Sequence, residues 1–263
     1  MANIIEVKDA SFAYSGKDYI WKNVNLEIKQ GDSVCILGAN GCGKTTLFNC
    51  IVGNLPFTEG KGYIDGKLIE DYSITELAKT IGIVYQEHNV SFPYTCIEVV
   101  RMGRTPYLRM FQSPGQEDLD MAYAIMQEMG IEHLAEKPYS RISGGQRQLV
   151  LIARTLCQTP KAILFDEPTS HLDFRNQALV MKTLKNLSAK GLTIVMTSHS
   201  PAHAWQISNK TILMGRKGVI AQGHPQDIMT GENLENTYGV KVKIHRSQVD
   251  SSAFFCEPAF EAL

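Results

Sequence analysis

Lys44 stands near the end of Gly38-Ala39-Asn40-Gly41-Cys42-Gly43-Lys44-Thr45-Thr46, the stretch whose spacing speaks most directly of chemistry. The pattern G-x-x-x-x-G-K-[ST] follows an apolar strand-like run, residues 33–37, and opens a helical pattern. Glycines at 38, 41 and 43 let backbone N–H groups curl around phosphate oxygens without side-chain obstruction. From there the Lys44 ammonium reaches the β- and γ-phosphates of a nucleoside triphosphate, and the Thr45 hydroxyl is placed to ligate Mg2+.

A second cluster reads "KAILFDEPTSHLD". Residues 162–165 form a buried-type strand ending in Asp166 and Glu167. Beside a phosphate loop, Asp166 is expected to hold Mg2+ through water or through Thr45. Glu167 is expected to orient or deprotonate an attacking water. The spacing does not decide which carboxylate is the base. His199 ends a third apolar strand, "LTIVMTSHS", where it can donate to a γ-phosphate. A further stretch, "RISGGQRQ" (141–148), has Ser143, Gly144, Gly145 and Gln146 opening a helix. Bare N–H groups and a helix dipole at that point suit an anion. Yet it has no lysine, and the chain already carries a complete phosphate loop.

Short apolar runs at 3–8, 24–30, 33–37, 81–85, 161–166, 192–197, 210–214 and 217–222 are the elements that must position these groups. Their alternation with helical patterns predicts an α/β protein with a largely parallel central sheet. The early part differs. Residues 1–30 and 60–69 read as antiparallel hairpins, with Asp65-Gly66 as a tight turn. Ser73-Ile74-Thr75-Glu76 reads as a capping box. Ala122, Ile125, Met126 and Met129 form a packing stripe at helical spacing. Residues 90–155 carry no convincing strand and read as an inserted all-helical segment. The expected division is therefore 1–88 with 156–239 as an α/β core, 89–155 as a helical subdomain, and 240–263 as a short extension.

The 263 residues, 44% hydrophobic and 20% charged, suffice for one large domain or a core with an insertion. A net charge of -1 argues against a protein built mainly to hold nucleic-acid backbone. The first ten residues carry acids where a signal peptide needs an apolar core. No run has the apolar length of a membrane span. Six cysteines, at 35, 42, 50, 96, 157 and 256, show no CxxC or zinc spacing and read as reduced thiols.

Taken in order, these motifs resemble the ATP-binding subunit of ABC transporters over nearly the whole chain. Tyr14 fits the aromatic that stacks on adenine, and 38–46 the phosphate loop. Gln86 in "IVYQE" fits the Q-loop, and 142–148 the signature motif. "ILFDE" fits Walker B, "SHLD" (170–173) the D-loop, and His199 the switch histidine. The resemblance implies a P-loop NTPase (RecA-like) core with an antiparallel β subdomain and a helical insertion. It implies ATP and Mg2+ as cofactors, with Thr45, Gln86 and Asp166 around the metal. It implies two copies packed head to tail, the Ser143–Gln146 helix start of one facing the γ-phosphate held by Lys44 of the other. That answers why the second phosphate site lacks a lysine. Departures are Ile142 for the usual Leu, Cys42 for a frequent serine, which raises sensitivity to thiol oxidants, and His171 for a commoner small residue.

Repair and chromosome ABC proteins carry long coiled-coil insertions between phosphate loop and signature, and translation-type members carry two cassettes. Exporters usually fuse the cassette to membrane helices. A stand-alone cassette serving a separate permease is the reading that remains. The segment "HNVSFPYTCIEVVRMGRTPYL" (88–108) resembles that of iron-siderophore, haem and cobalamin importers. There, residues around Gln86 to Arg104 receive a cytoplasmic helix of one of two integral-membrane permease subunits. A substrate-binding protein is an indirect partner, and the cytoplasmic face of the membrane the expected location. Molybdate and zinc or manganese importers have similar segments. The alternative from another class is a soluble ABC ATPase acting on nucleic acid or assembly partners. The tail after Ile244 is too short for an appended regulatory domain.

Overall fold

The computed structural model describes residues 2–16, 18–85, 93–109, 111–246 and 254–259. In chain order the elements are β1 (Asn3–Ala13), β2 (Tyr19–Lys29), β3 (Ser33–Gly38), α1 (Lys44–Ile51), β4 (Glu59–Ile64), β5 (Lys67–Leu68), α2 (Ile74–Thr80), β6 (Ile81–Val84), α3 (Cys96–Arg101), α4 (Gln116–Glu128) and α5 (Gly144–Cys157). There follow β7 (Ala162–Phe165), α6 (Phe174–Ala189), β8 (Thr193–Ser198), α7 (Pro201–Ile207), β9 (Lys210–Gly215), β10 (Gly218–Gly223), α8 (Pro225–Ile228), α9 (Gly231–Tyr238), β11 (Val242–Arg246) and β12 (Phe254–Pro258). They separate into two compact units, Met1–Asp71 with Gly191–Leu263, and Tyr72–Lys190.

The first unit holds an antiparallel sheet in the order β2-β1-β4-β5 and a run of strands in the order β10-β9-β3-β8. In that run β3 is parallel to both β8 and β9, while β9 and β10 are antiparallel. Every residue of β3 and of β8 is buried, which is why both read as unbroken apolar runs. β2 alternates instead: Val24, Leu26 and Ile28 turn inward between exposed neighbours, as a one-sided antiparallel strand must. Asp65 and Gly66 join β4 to β5 with φ of 49° and 78°, the positive pair that a tight hairpin turn requires. β11 and β12 form a two-stranded hairpin in which Val242 pairs Pro258 and Arg246 pairs Phe254. Sequence reading gave this tail no structure.

The second unit carries parallel strands β6 and β7 and the helices of the expected insertion. Its helix starts are set by side chains. Ser73 and Glu76 make the reciprocal capping bonds expected of them, and Thr95 and Glu98 do the same for α3. The Met-Gly-Arg that follows α3 has a packing role. A Cβ on Gly103 would lie 2.0 Å from the Arg154 carbonyl oxygen, so only glycine lets this turn press against α5. The Arg104 guanidinium donates to Asp118 Oδ1 at 3.1 Å and to the Cys157 carbonyl at 3.0 Å, and lies over the Tyr107 ring. The Gly115 N–H, helped by Arg104, holds the Asp118 carboxyl below the usual carboxylate range. Within 88–108, then, Arg104 ties α4 to α5, while Tyr94 and Tyr107 keep exposed surface. Of the expected packing stripe, Ala122 and Met126 are fully buried, while Ile125 and Met129 are half-buried. Gln86 and Phe92 lie outside the described residues.

Candidate active site

In the first unit the turn from β3 into α1 carries the stretch read as a phosphate loop, residues 38–46. Gly43 caps α1 with φ of 100°, a conformation that L side chains rarely adopt, and a Cβ there would lie 2.7 Å from Ile20 Cγ2. Lys44 is the first helical residue. Its side chain is 4% exposed and curls back, Nζ donating to the carbonyl oxygens of Gly38 at 2.9 Å and Ala39 at 3.1 Å. The ammonium thus lies across the base of the loop. Thr45, next along, is exposed, and Thr46 is buried. Cys42 is not turned toward a ligand. It is 3% exposed, and a Cβ on Gly38 would meet its Sγ at 2.6 Å. Its thiol lies packed beneath the loop, which removes the access that oxidant sensitivity needs. Its backbone N–H donates to the Ala39 carbonyl at 3.3 Å.

Tyr14 keeps 68% of its surface exposed, an unusual state for an aromatic ring held in place. Phe12 supports it edge-on at 4.9 Å, and its hydroxyl lies 3.3 Å from Thr46 Oγ1. An exposed but oriented ring is what stacking on a planar base requires.

His199 follows β8. Because Leu37 is opposite Ser198 in the parallel β3–β8 pair, Gly38 and His199 leave the sheet side by side. The histidine is exposed, and its carbonyl accepts a 2.9 Å hydrogen bond from the Tyr238 hydroxyl. His203, in the first turn of α7, is drawn below the ordinary histidine range by burial and then by the neighbouring His199.

The second unit carries the carboxylates. Asp166 is 6% exposed, with its backbone N–H bonded to the Val84 carbonyl at 2.9 Å. Glu167 is half-buried and has φ of 44°, a left-handed backbone that costs about 1–2 kcal/mol in a residue with a Cβ. Ser170 holds it there. The Ser170 hydroxyl donates to Glu167 Oε2 at 2.7 Å and its N–H to the Glu167 carbonyl at 3.1 Å. Sequence reading missed Ser170, although its place three residues after the acid is a common spacing for such a turn. His171 also has a positive φ, 62°.

The lysine-free helix start read as an anion site begins at Ser143, the N-cap of α5. Gln146 N–H donates to its Oγ at 3.3 Å, and Gln146 Oε1 accepts from the Ser143 N–H at 3.1 Å. Ser143 and Gly144 are exposed, so the helix end faces outward. Gly145 has a different reason to be glycine. A Cβ there would lie 2.3 Å from Asn176 Oδ1, in the first turn of α6, whose N-cap Asp173 accepts from the Asn176 N–H at 2.7 Å. The signature helix is thereby seated on the helix that follows the D-loop. Gly145→Ala is expected to destabilise the protein by about 1–3 kcal/mol, because overpacking here exceeds the gain in helix propensity of at most about 1 kcal/mol. A thermal melt checks this, with a fall of about 2–4 °C per kcal/mol. An unchanged or raised Tm would show that Asn176 swings away at no cost.

Comparison with known proteins agrees with this layout. The family described as ABC transporter matches residues 21–170. The ferric enterobactin transport ATP-binding protein FepC of Escherichia coli (strain K12) is 34% identical over 87% of this chain and 85% of its own. The molybdate import ATP-binding protein MolC of Haemophilus influenzae is 33% identical over 97% of this chain and 95% of its own. A solved inward-facing ABC transporter, described as of putative metal-chelate type, superposes with a TM-score of 0.87 at 32% identity, covering 99% of both chains. With that family model spanning more than half of its length and such relatives covered almost throughout, this chain belongs to the ABC transporter family and is an ATP-binding ATPase coupled to transport.

Proposed function

We propose that this chain hydrolyses ATP at two composite sites in a head-to-tail homodimer, and so powers import of a metal chelate through a separate permease. The observation that carries the dimer is the exposed, lysine-free helix start at Ser143–Gln146 on a chain whose Lys44 already occupies a complete phosphate loop. A helix end with bare donors and no counter-charge of its own completes a site that another copy's lysine begins.

In this reading Lys44 and the loop of 38–46 hold the phosphates, and Tyr14 stacks on adenine. Ser143, Gly144, Gly145 and Gln146 contact the γ-phosphate from the other copy. Burial separates the acids. Asp166, shut away at its strand end, suits a metal contact, while Glu167, half-buried and oriented by Ser170, suits the base that water must reach. His199 donates to the γ-phosphate from beside Gly38. The family resemblance assigns Mg2+ to Thr45, Asp166 and Gln86, three side chains that end in oxygen donors. Among the described residues there is no cluster of three or more His, Cys, Asp or Glu side chains that could hold a metal. One carboxylate, Asp166, beside the phosphates that carry the ion in is the usual arrangement for Mg2+. When bound, the ion would neutralise charge developing on the phosphates.

The core of 1–88 and 156–239 then does the chemistry, and the helical part, 89–155, meets the permease near Gln86–Arg104. Among the described residues no helix is long and apolar enough to cross a membrane. The membrane is reached through the permease, at its cytoplasmic face. A metal chelate is favoured by the likeness to FepC and to the metal-chelate type transporter, and by the segment 88–108. The likeness to MolC supports a second reading, molybdate import.

Ser143→Arg tests the composite site. ATP binding by the monomer stays within about twofold, since in this reading Ser143 contacts only the nucleotide held by the other copy. Nucleotide-driven dimerisation and turnover are lost. If monomer binding weakened instead, the signature would be part of the same copy's site. The transport role is tested by affinity purification from native membranes in mild detergent. Recovery of a many-spanning permease and a binding protein that takes metal chelates supports the reading, and one that takes only molybdate supports the second. Recovery of soluble partners alone would favour a nucleic-acid or assembly ATPase.

A further inference from the structure

We propose that Tyr238 is a positioning residue for ATP hydrolysis, setting the His199 imidazole through the histidine's own backbone. The inference rests on the reading of His199 as a γ-phosphate donor. The two residues are far apart in sequence, yet the Tyr238 hydroxyl donates to the His199 carbonyl at 2.9 Å. Tyr238 is the last residue of α9, and with Asn40, Gly41 and Cys42 it lines a cavity of about 710 Å³ flanking the phosphate loop. One phenol therefore borders the loop and holds the backbone from which the histidine projects.

The peptide it holds is a short hinge. β8 ends at Ser198 and α7 begins at Pro201, leaving His199 and Ser200 between a buried strand and a helix. Ser198 Oγ accepts from the Ser200 N–H at 3.0 Å, which folds the hinge locally but does not fix the His199 carbonyl. The far end of α7 is fixed independently. Trp205 stacks on Phe254 of the C-terminal hairpin, ring centroids 4.5 Å apart and planes 19° from parallel. Between the buried strand and the anchored helix, the phenol's hydrogen bond tethers the peptide at His199. Burial, with lesser effects from nearby thiols, pushes the Tyr238 phenol well above the ordinary tyrosine range, so it stays a donor across the working pH range. A misplacement of about 1 Å at a reacting centre costs up to about 100-fold in rate, so a bond that fixes one carbonyl has leverage over turnover without touching ATP.

The test is a cycle of Tyr238→Phe, His199→Ala and the double variant, with kcat, ATP Kd and Tm measured for each. Tyr238→Phe keeps the ring and its packing. Its kcat is expected to fall about 10-fold or more while ATP Kd stays within about twofold. In the His199→Ala background the same change costs nothing further, because there is no imidazole left to position. A purely structural tyrosine would lower Tm and slow both backgrounds alike, which overturns the proposal. So does a Tyr238→Phe protein with normal kcat beside an inactive His199→Ala. Normal turnover of His199→Ala removes the histidine's role and this proposal with it, and is distinguishable from the other outcomes.

Discussion

Lys44→Ala is expected to lower ATP turnover by about 100- to 1,000-fold, the loss typical of a preorganised charge removed from developing phosphate charge. Two effects add. The variant lacks the cation that meets the β- and γ-phosphates, and a charge-assisted contact to phosphate is roughly twice as strong as a neutral one. It also strips the carbonyls of Gly38 and Ala39 of the donor that spans the base of the loop. The side chain is almost fully buried, so water replaces it poorly there. Weakened nucleotide binding and lost turnover together are the result to measure, with circular dichroism confirming a folded chain. Near-normal turnover would overturn the assignment.

Glu167→Gln separates binding from hydrolysis. Glutamine keeps the length of the side chain and an oxygen that can accept from Ser170 Oγ, so the 2.7 Å contact and the left-handed turn survive. What is lost is the ability to take a proton. General-base catalysis contributes about 100- to 10,000-fold, and the variant should slow by that amount while binding ATP normally. In the proposed head-to-tail dimer the γ-phosphate bridges the two copies, so the slow variant should persist as an ATP-bound dimer. Normal turnover would mean that another group positions the water, with Asp166→Asn the next variant to examine.

How much of this was legible beforehand depends on the range of the signal. The phosphate loop, the strand-end acids, the Asp65-Gly66 turn and the Ser73 capping box are local, and each carries its cause within a few residues. The buried strands β3, β7 and β8 announce themselves as unbroken apolar runs because both faces are covered. Contacts between distant segments leave no such trace. Tyr238 and His199 are joined only by the fold, as are Gly145 with Asn176, and Trp205 with Phe254. Cys42 illustrates the opposite error. Its position in the loop suggested a reactive thiol, but the loop turns that side chain inward and gives the outer surface to backbone. The contacts of Gly103 and Arg104 with α5 and α4 belong to the same kind, since nothing in the segment 88–108 marks the helices it packs against.

The claim on which the account turns is that ATP is shared between two copies, held by Lys44 of one and capped by Ser143 of the other. Sedimentation velocity of Glu167→Gln, with ATP and with ADP, tests it most directly when run beside the Glu167→Gln/Ser143→Arg double variant. The expected result is dimers with ATP, monomers with ADP, and monomers under both conditions once Ser143 is replaced. Dimers that form equally with ADP, or that persist with ATP in the double variant, would contradict it.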